Sequence, residues 1–461
     1  MHEKILAPCP IISPISAGQG KKDARSRHIN ALGIESEPAL CNNILNKPKD
    51  GGKIAGGKMK SDLRKTNSLR SGSILPLTVV AIAVMVTLGV GLLELDLQSK
   101  LTANRDGFEI TARAAADAGL IKAISEMNQK LQNKPWNDST LPQATDDALP
   151  NCEATCTYVA SGDKANGYSI TSTGDARLAQ RTVNASLRLK GLFDFAVFTK
   201  EALSLKNGTK VDWYMTDPTG QPLKVGTNST ATGSVALNSG VTINGDIAVG
   251  VSGDPTAVID DKSGVTVAGD SYALTEEQKL PIIDVPDALK SDSSKGSITG
   301  SLTILTSGKY NLINIGNSKV IMINGPVTLY ITGDITLDSS AQIQINNANP
   351  NASLNLFLGG NLVFKNGGFV NNLTKDPKRF LIFGLANCRS IDFRTAGNFY
   401  GAIYAPNADV MSHNSVQIYG AIVANSFIQD VWANLYYDAS LRNVSYDDIG
   451  VRFTVARWYE N

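Results

Sequence analysis

From Ser71 through Leu93 the chain runs 23 residues without a charge. Its core, SILPLTVVAIAVMVTLGVGLL, is apolar on every helical face, which a helix buried in a small soluble domain seldom is. About 20 such residues cross a bilayer, so the length predicts one membrane span in contact with lipid. Pro76 falls in the first turn, where its missing N–H costs nothing. Lys53, Lys58, Lys60, Arg64, Lys65 and Arg70 precede the span, opposed only by Asp62. The flank beyond it is mixed, with Glu94, Asp96 and Lys100. This asymmetry predicts a cytoplasmic N-terminal side and periplasmic or cell-surface domains from about residue 95 onward. A cleaved secretory signal fits less well. The apolar run exceeds the roughly 7–15 residues of a signal core, and LGVGLLEL continues without a polar break.

The helix is expected to extend well past the membrane, because no proline occurs between Pro76 and Pro135. Apolar residues recur at Leu120, Ile124, Met127 and Leu131 at helical spacing. A single helix from Leu77 to Gln132 would be about 84 Å long. After a polar linker with Pro135, Trp136, Pro142 and Pro150, three strand-like runs follow: Thr157–Ala160, Tyr168–Ser172 and Arg181–Leu189. The intervening turns Ser161-Gly162-Asp163 and Thr173-Gly174-Asp175 predict a small antiparallel meander.

This succession resembles type IV pilins and pseudopilins, most closely the PilX-like N-terminal domain of pilus assembly proteins. The resemblance covers about residues 60–192. It is carried by RSGSILPLTVVAIAVMVTLGVGLL, by NRDGFEITARAAADAGLIKAI and by GYSITSTGDARLAQRTVNASLRLKG. It implies prepilin peptidase cleavage between Gly72 and Ser73. It also implies lateral packing with other pilin-like subunits through the small residues Ala112, Ala114, Ala115, Ala116, Ala118 and Gly119. Where major pilins carry Glu at the fifth mature position, this chain has Leu77. A leader of 72 residues is long for the family; starting at Met59 gives the short basic leader MKSDLRKTNSLRSG. Residues 1–58 show no apolar periodicity and read as a disordered extension or a misassigned start.

From about Gly233 to Arg442, runs of four to six strand-forming residues alternate with Gly, Asn and Asp turns. GVTINGD recurs as GVTVAGD, and YGAIYAPNADV at Tyr400 recurs as YGAIVANSFIQ at Tyr419. Such repetition predicts a right-handed parallel β-helix, with an antiparallel β-sandwich as the rival fold. Alternation places Val241, Ile243, Ile247, Val327, Leu329, Ile331, Leu354, Leu356, Ile403 and Ile422 inward. Residues 275–298 read as an excursion packing back through Ile282, Ile283 and Val285. Residues 193–232 read as a connecting segment and 443–461 as a C-terminal tail. The Tyr-Gly-Ala-Ile repeats also resemble terminal domains that accompany PilX-like segments in bacterial surface proteins, where a phrase like LYYDASL closes the fold.

Net charge is +1, so no global field favours nucleic acid as a partner. The three histidines, His2, His28 and His413, lie far apart, which argues against a zinc site or a Ser-His-Asp triad. Cys152 and Cys156 in CEATC are a candidate disulfide. Cys388 reads as a buried small apolar residue. Asp392 and Arg394 in SIDFRTAG are the best candidates for chemistry, with an ion pair as the plain alternative. Asp246, Asp270 and Asp334 follow Gly in turns, where Asp usually bonds nearby backbone. Tyr404, Asn407, Tyr419, Asn425, Trp432, Tyr436 and Tyr437 suggest either a glycan-binding surface or a cap over an open end. No metal, cofactor or catalytic residue is assigned. The expected function is a membrane-anchored, non-enzymatic pilin-like protein of a type IV pilus or type II secretion-like system with an adhesive display domain. The alternative is an anchored carbohydrate-active enzyme.

Overall fold

The computed structural model describes residues 74–460 apart from positions 151 and 414. The leader, Met59 and the Gly72–Ser73 junction lie outside the described residues. One helix, Ile74–Lys130, opens the described chain. It is long and apolar enough to cross a membrane. Leu77, Ile82, Leu88 and Leu92 along its apolar part are exposed. Further along, Ala112, Ala115, Ala116, Leu120, Ala123 and Met127 become fully or almost fully buried. Their spacing of three and four draws a single stripe along one face.

That stripe packs on a five-stranded antiparallel sheet formed by Gln143–Ala148, Ala154–Asp163, Gly167–Ala176, Ala179–Lys190 and Arg452–Glu460. The three expected runs are the cores of longer strands, and Gln143–Ala148 adds a fourth that the linker reading missed. The fifth strand corrects the expectation of a C-terminal tail: Phe453 pairs with Leu189 and Trp458 with Ala185. Trp136 is buried as well, among the rings of Tyr168, Tyr446 and Phe453. A linker tryptophan thus becomes the joint between the stem, the meander and the returning chain.

Of the small stem residues, Ala112, Ala115, Ala116 and Gly119 are buried within the chain, whereas Ala114 is exposed and Ala118 half-buried. A Cβ on Gly174 would stand 2.0 Å from the Ala112 carbonyl oxygen, and one on Gly119 would stand 2.5 Å from Ser172 Oγ. Ser172 Oγ donates to the Ala116 carbonyl at 2.7 Å. Helix and sheet therefore meet at backbone distance, which is what the alanines and glycines allow.

Between the fourth and fifth strands of that sheet lies a β-rich body of stacked circuits, joined by parallel ladders. The first ladder runs from Gly308–Tyr310 through Pro326–Ile331, Ser353–Leu358 and Phe380–Gly384 to 402–404 and 422–424. It continues into Val197–Thr199, Lys224–Thr227, Asp246–Val249 and Ser271–Ala273. The body therefore begins at Val197, not at Gly233, and its first circuit stacks on its last. All the inward positions named from alternation are buried.

Residues 274–297 carry the chain back along the outside of the first ladder. Gln278 exchanges hydrogen bonds with Asn228 at 2.8 and 3.1 Å, the Tyr404 hydroxyl donates to the Pro281 carbonyl at 2.8 Å, and Lys309 Nζ donates to the Lys290 carbonyl at 3.0 Å. These contacts span the stack from the circuit of Lys224–Thr227 to that of Gly308–Tyr310. Val285 is buried and Ile283 packs on the core, whereas Ile282 is exposed, contrary to expectation. The strap explains why Phe357, Phe383, Tyr404 and Phe198, on the outer side of the ladder, are buried.

A four-residue turn leads from the second ladder to the third. Its third residue has positive φ in all but one circuit: Ser318, Ser340, Gly367, Ser415, Trp432, Gly208, Gly240 and Gly264. Small residues suit this left-handed conformation, which a bulky side chain disfavours. Trp432, at φ 61°, departs from that column.

Candidate functional site

At the start of this turn the ladder registers bring Asp392, Arg394, His413 and Asp430 together from successive circuits. Arg394 Nε donates to Asp392 Oδ2 at 2.6 Å. His413 Nε2 lies 3.3 Å from Asp392 Oδ1, and its Nδ1 lies 3.8 Å from Asp430 Oδ2. Asp392 is only 5% exposed. The sequence alternative of an ion pair therefore holds in partnership but not in solvation. Val363 and Met411 flank Asp392 in register. One carboxylate oxygen of Asp392 is thus engaged by a guanidinium, and its ladder neighbours on both sides are apolar.

Two of the three turn aspartates serve neighbouring circuits through their side chains, and Asp270 takes part through its backbone. Asp246 Oδ1 accepts from the Asp270 amide at 3.0 Å, and Asp334 Oδ1 accepts from the Asn361 amide at 2.7 Å. Asn361 Oδ1 then accepts from the Arg389 and Ser390 amides. Such a ladder satisfies backbone donors at the corner of each circuit. Among the described residues, no group of three His, Cys, Asp or Glu side chains is placed to hold a metal ion.

Cys152 is exposed and Cys156 is buried beneath the stem at Gly119; both thiols are free. Their side chains occupy different environments, so the pairing suggested by C-x3-C is not formed here. Cys388 is buried, and burial pushes its thiol up to about 12, away from thiolate chemistry.

The aromatic residues divide into two groups. Tyr404 and Tyr437 are fully buried and donate to the Pro281 and Phe193 carbonyls. Burial raises both phenols. They brace the strap and the entry to the body. Tyr400, Tyr419 and Tyr436 instead point outward from the third ladder, where 398–400, 417–419 and 434–436 lie in register. Their rings stack at 4.3 and 5.0 Å, with interplanar angles of 14° and 16°. Tyr214 meets Tyr419 edge-on at 5.1 Å. It sits at a register shift between Trp213 and Met215, a bulge that re-aims its side chain across two circuits. The stack lies inside the row of circuits, because Asn434–Asp438 pairs onward with Lys210–Met215. It is not a cap over an open end, one of the two roles that these residues suggest in sequence.

Alternating with these tyrosines are the outward amides Asn398, Gln417 and Asn434, separated from them by the buried Phe399, Ile418 and Leu435. The outer face of three consecutive strands is therefore Asn and Tyr, Gln and Tyr, Asn and Tyr. The first charges met along the ladder are Lys210 and Asp212, which pair with each other at 2.5 Å. Trp432, 67% exposed, borders this face at the turn. Its carbonyl accepts from Gln417 Nε2 at 3.4 Å, and its ring lies on Gly208, where a Cβ would be 2.7 Å away.

A family model described as a domain of unknown function, DUF7305, matches residues 282–444. No curated protein matches the chain. Among solved structures, the competence-associated pilin ComZ from Thermus thermophilus aligns at 10% identity, covering 77% of this chain and 97% of its own, with a TM-score of 0.28. A Shewanella frigidimarina ice-binding protein domain aligns at 17% identity over 54% of this chain and 98% of its own, with a TM-score of 0.28. The ice-binding protein of the Antarctic ascomycete Antarctomyces psychrotrophicus aligns at 12% identity over 53% of this chain and 95% of its own, with a TM-score of 0.27.

Proposed function

We propose that this chain is a membrane-anchored, non-enzymatic pilin-like protein of a type IV pilus or type II secretion-like system, whose body is a parallel β-helix displayed outside the cytoplasm with an adhesive surface. The observation that carries the reading is the change along one unbroken helix. Its apolar first part is exposed on all sides, and its second part is clasped by its own sheet. A side chain such as Leu77 or Leu88 left in water loses about 1.5–3 kcal/mol relative to burial, so a run of them calls for lipid or other helices.

Because the alanine stripe is occupied internally, lateral packing falls to the opposite side of the stem. Ile110, Ala114 and Ile121 are exposed there at helical spacing. The basic flank before the span favours a cytoplasmic N-terminal side, and cleavage between Gly72 and Ser73 by a prepilin peptidase belongs to the same reading. The reading as a non-enzyme is supported by the corner at Asp392, whose carboxylate is committed to Arg394.

Co-expression with a prepilin peptidase tests the proposal. It should produce a shorter form beginning at Ser73, held in membranes that resist alkaline carbonate washing. A chain released by that wash, or one whose mature terminus lies within the span, would overturn it. Polysaccharide turnover that vanished on Asp392→Ala would instead favour the anchored enzyme.

A further inference from the structure

We infer that the outer face formed by 398–400, 417–419 and 434–436, bordered by Trp432, is a binding surface for an uncharged glycan chain. This deepens the adhesive part of the proposed function and rests on that reading for its biological setting, but not for its chemistry.

The first observation is strain. At the third position of the turn, the other circuits with positive φ use Gly or Ser, whereas this one holds a tryptophan at φ 61°. Its ring lies on Gly208, yet the residue stays 67% exposed, so this contact buries only a minor part of it. A bulky residue kept in an unfavourable backbone conformation, with most of its surface in water, points to a role outside the fold.

The second observation is composition. A sugar ring has an apolar C–H side and a rim of hydroxyls. The indole supplies an apolar platform for the first, and carboxamides supply paired donors and acceptors for the second. Asn398, Gln417 and Asn434 form a row of such amides across successive strands; Asn434 Oδ1 already accepts from the Lys210 amide and Gln417 Nε2 donates to the Ser415 carbonyl, which leaves Asn434 Nδ2 and Gln417 Oε1 for a ligand. Two residues further along each strand, about 7 Å away, stand Tyr400, Tyr419 and Tyr436. These rings occupy one another's faces, so they present edges and hydroxyls to a ligand. Tyrosine and asparagine together are the chemistry of adaptable polar recognition at low conformational cost.

The third observation is charge. The strip between Trp432 and the tyrosine stack carries no ionised side chain, while the adjoining corner holds Arg394, His413 and Asp430. Lys210, the cation beside Asn434 at the edge of the strip, is already paired with Asp212 at 2.5 Å and so is not offered to an anionic polymer, and a protein partner of ordinary size would have to cover the charged corner as well. A neutral glycan laid across the three strands meets only amides, phenols and the indole.

The test uses the full-length protein in detergent micelles, titrated with a panel of neutral glycans (glucans, mannans and chitin oligomers) and with anionic ones (alginate and hyaluronan). Wild type should bind at least one neutral glycan, and Trp432→Gly should weaken that affinity by about tenfold or more. Glycine suits the positive φ, so this variant should keep or raise the melting temperature, which separates lost binding from lost fold. Tyr419→Ala should weaken binding as well. Absence of binding to every neutral glycan, binding of anionic glycans alone, or equal affinity in Trp432→Gly would each overturn the inference. Membrane retention of the same samples reports separately on the anchor, so failure of either reading is recognised without the other.

Discussion

Val197 lies in parallel register with Ile422, so the first circuit of the body is built onto its last. The Ile422 amide donates to the Ala196 carbonyl at 3.0 Å, and the Lys200 amide donates to the Ala424 carbonyl at 2.9 Å. Those amides should exchange with solvent as slowly as their neighbours in the middle of the stack. Mass-spectrometric hydrogen exchange of the full chain checks this. Fast exchange confined to 193–232 would mean that the segment is a connector after all.

The contact between the stem and its sheet is set by atoms that no side chain separates. Gly174→Ala would press a methyl group into the Ala112 carbonyl at 2.0 Å and the Ala116 amide at 2.4 Å. Backbone on both sides cannot yield cheaply, so a loss of about 1–3 kcal/mol is expected. Urea unfolding of the stem and sheet measures it. Ser172→Ala, which removes only the bond to the Ala116 carbonyl, should cost about 1 kcal/mol.

Inside the body, Gln429 is fully buried and, among the described residues, neither its Oε1 nor its Nε2 has a hydrogen-bond partner. Ladder register places it between Ser412 and Leu205. Gln429→Leu fills a similar volume without the unpaired amide and should stabilise the protein by about 1–2 kcal/mol. A melting temperature that falls instead would show that the amide is satisfied by ordered water.

Acid should loosen one particular joint. Asp217 accepts from Thr219 and from Arg442 Nη1, the latter at 2.8 Å, and these partners hold its carboxyl down to about 2. A carboxylate whose pKa is depressed on folding contributes fully above its unfolded value near 3.9 and loses that contribution as pH falls toward 2. Asp217→Asn should therefore flatten the pH dependence of stability between about 4 and 2, and leave the slope unchanged at higher pH. Thermal melts across that window read the difference. Arg442 also stacks near the Trp213 and Tyr437 rings, so a tryptophan-fluorescence change should accompany the loss.

Much of this protein is legible locally. An uncharged stretch of bilayer length, a proline-free stem and strands with turn residues between them follow from residue chemistry and spacing alone. The inward positions of the body followed from alternation, because a strand's period of two fixes which side chains share a face. The turn column was also present in the sequence, as four-residue spacings between strand runs, although it emerges only when the circuits are aligned. The aromatic face was half visible: Tyr419, Tyr436 and Trp432 were singled out, but buried Tyr404 and Tyr437 were placed with them and Tyr400 was not.

What the sequence could not determine is which strand lies beside which. Alternation states that Ile422 faces inward, yet carries nothing about Val197 being its neighbour, since parallel pairing is fixed by contacts remote in the chain. For the same reason Ala112, Ala115 and Ala116 looked available to another subunit until the sheet that covers them was in place. The residues after Arg442 looked like a tail until they completed that sheet. Composition and period determined the elements and their buried sides. Only the tertiary structure decided the order of the circuits, the closure of the small sheet and the uncharged aromatic strip, because each depends on segments that meet only when the whole chain is folded.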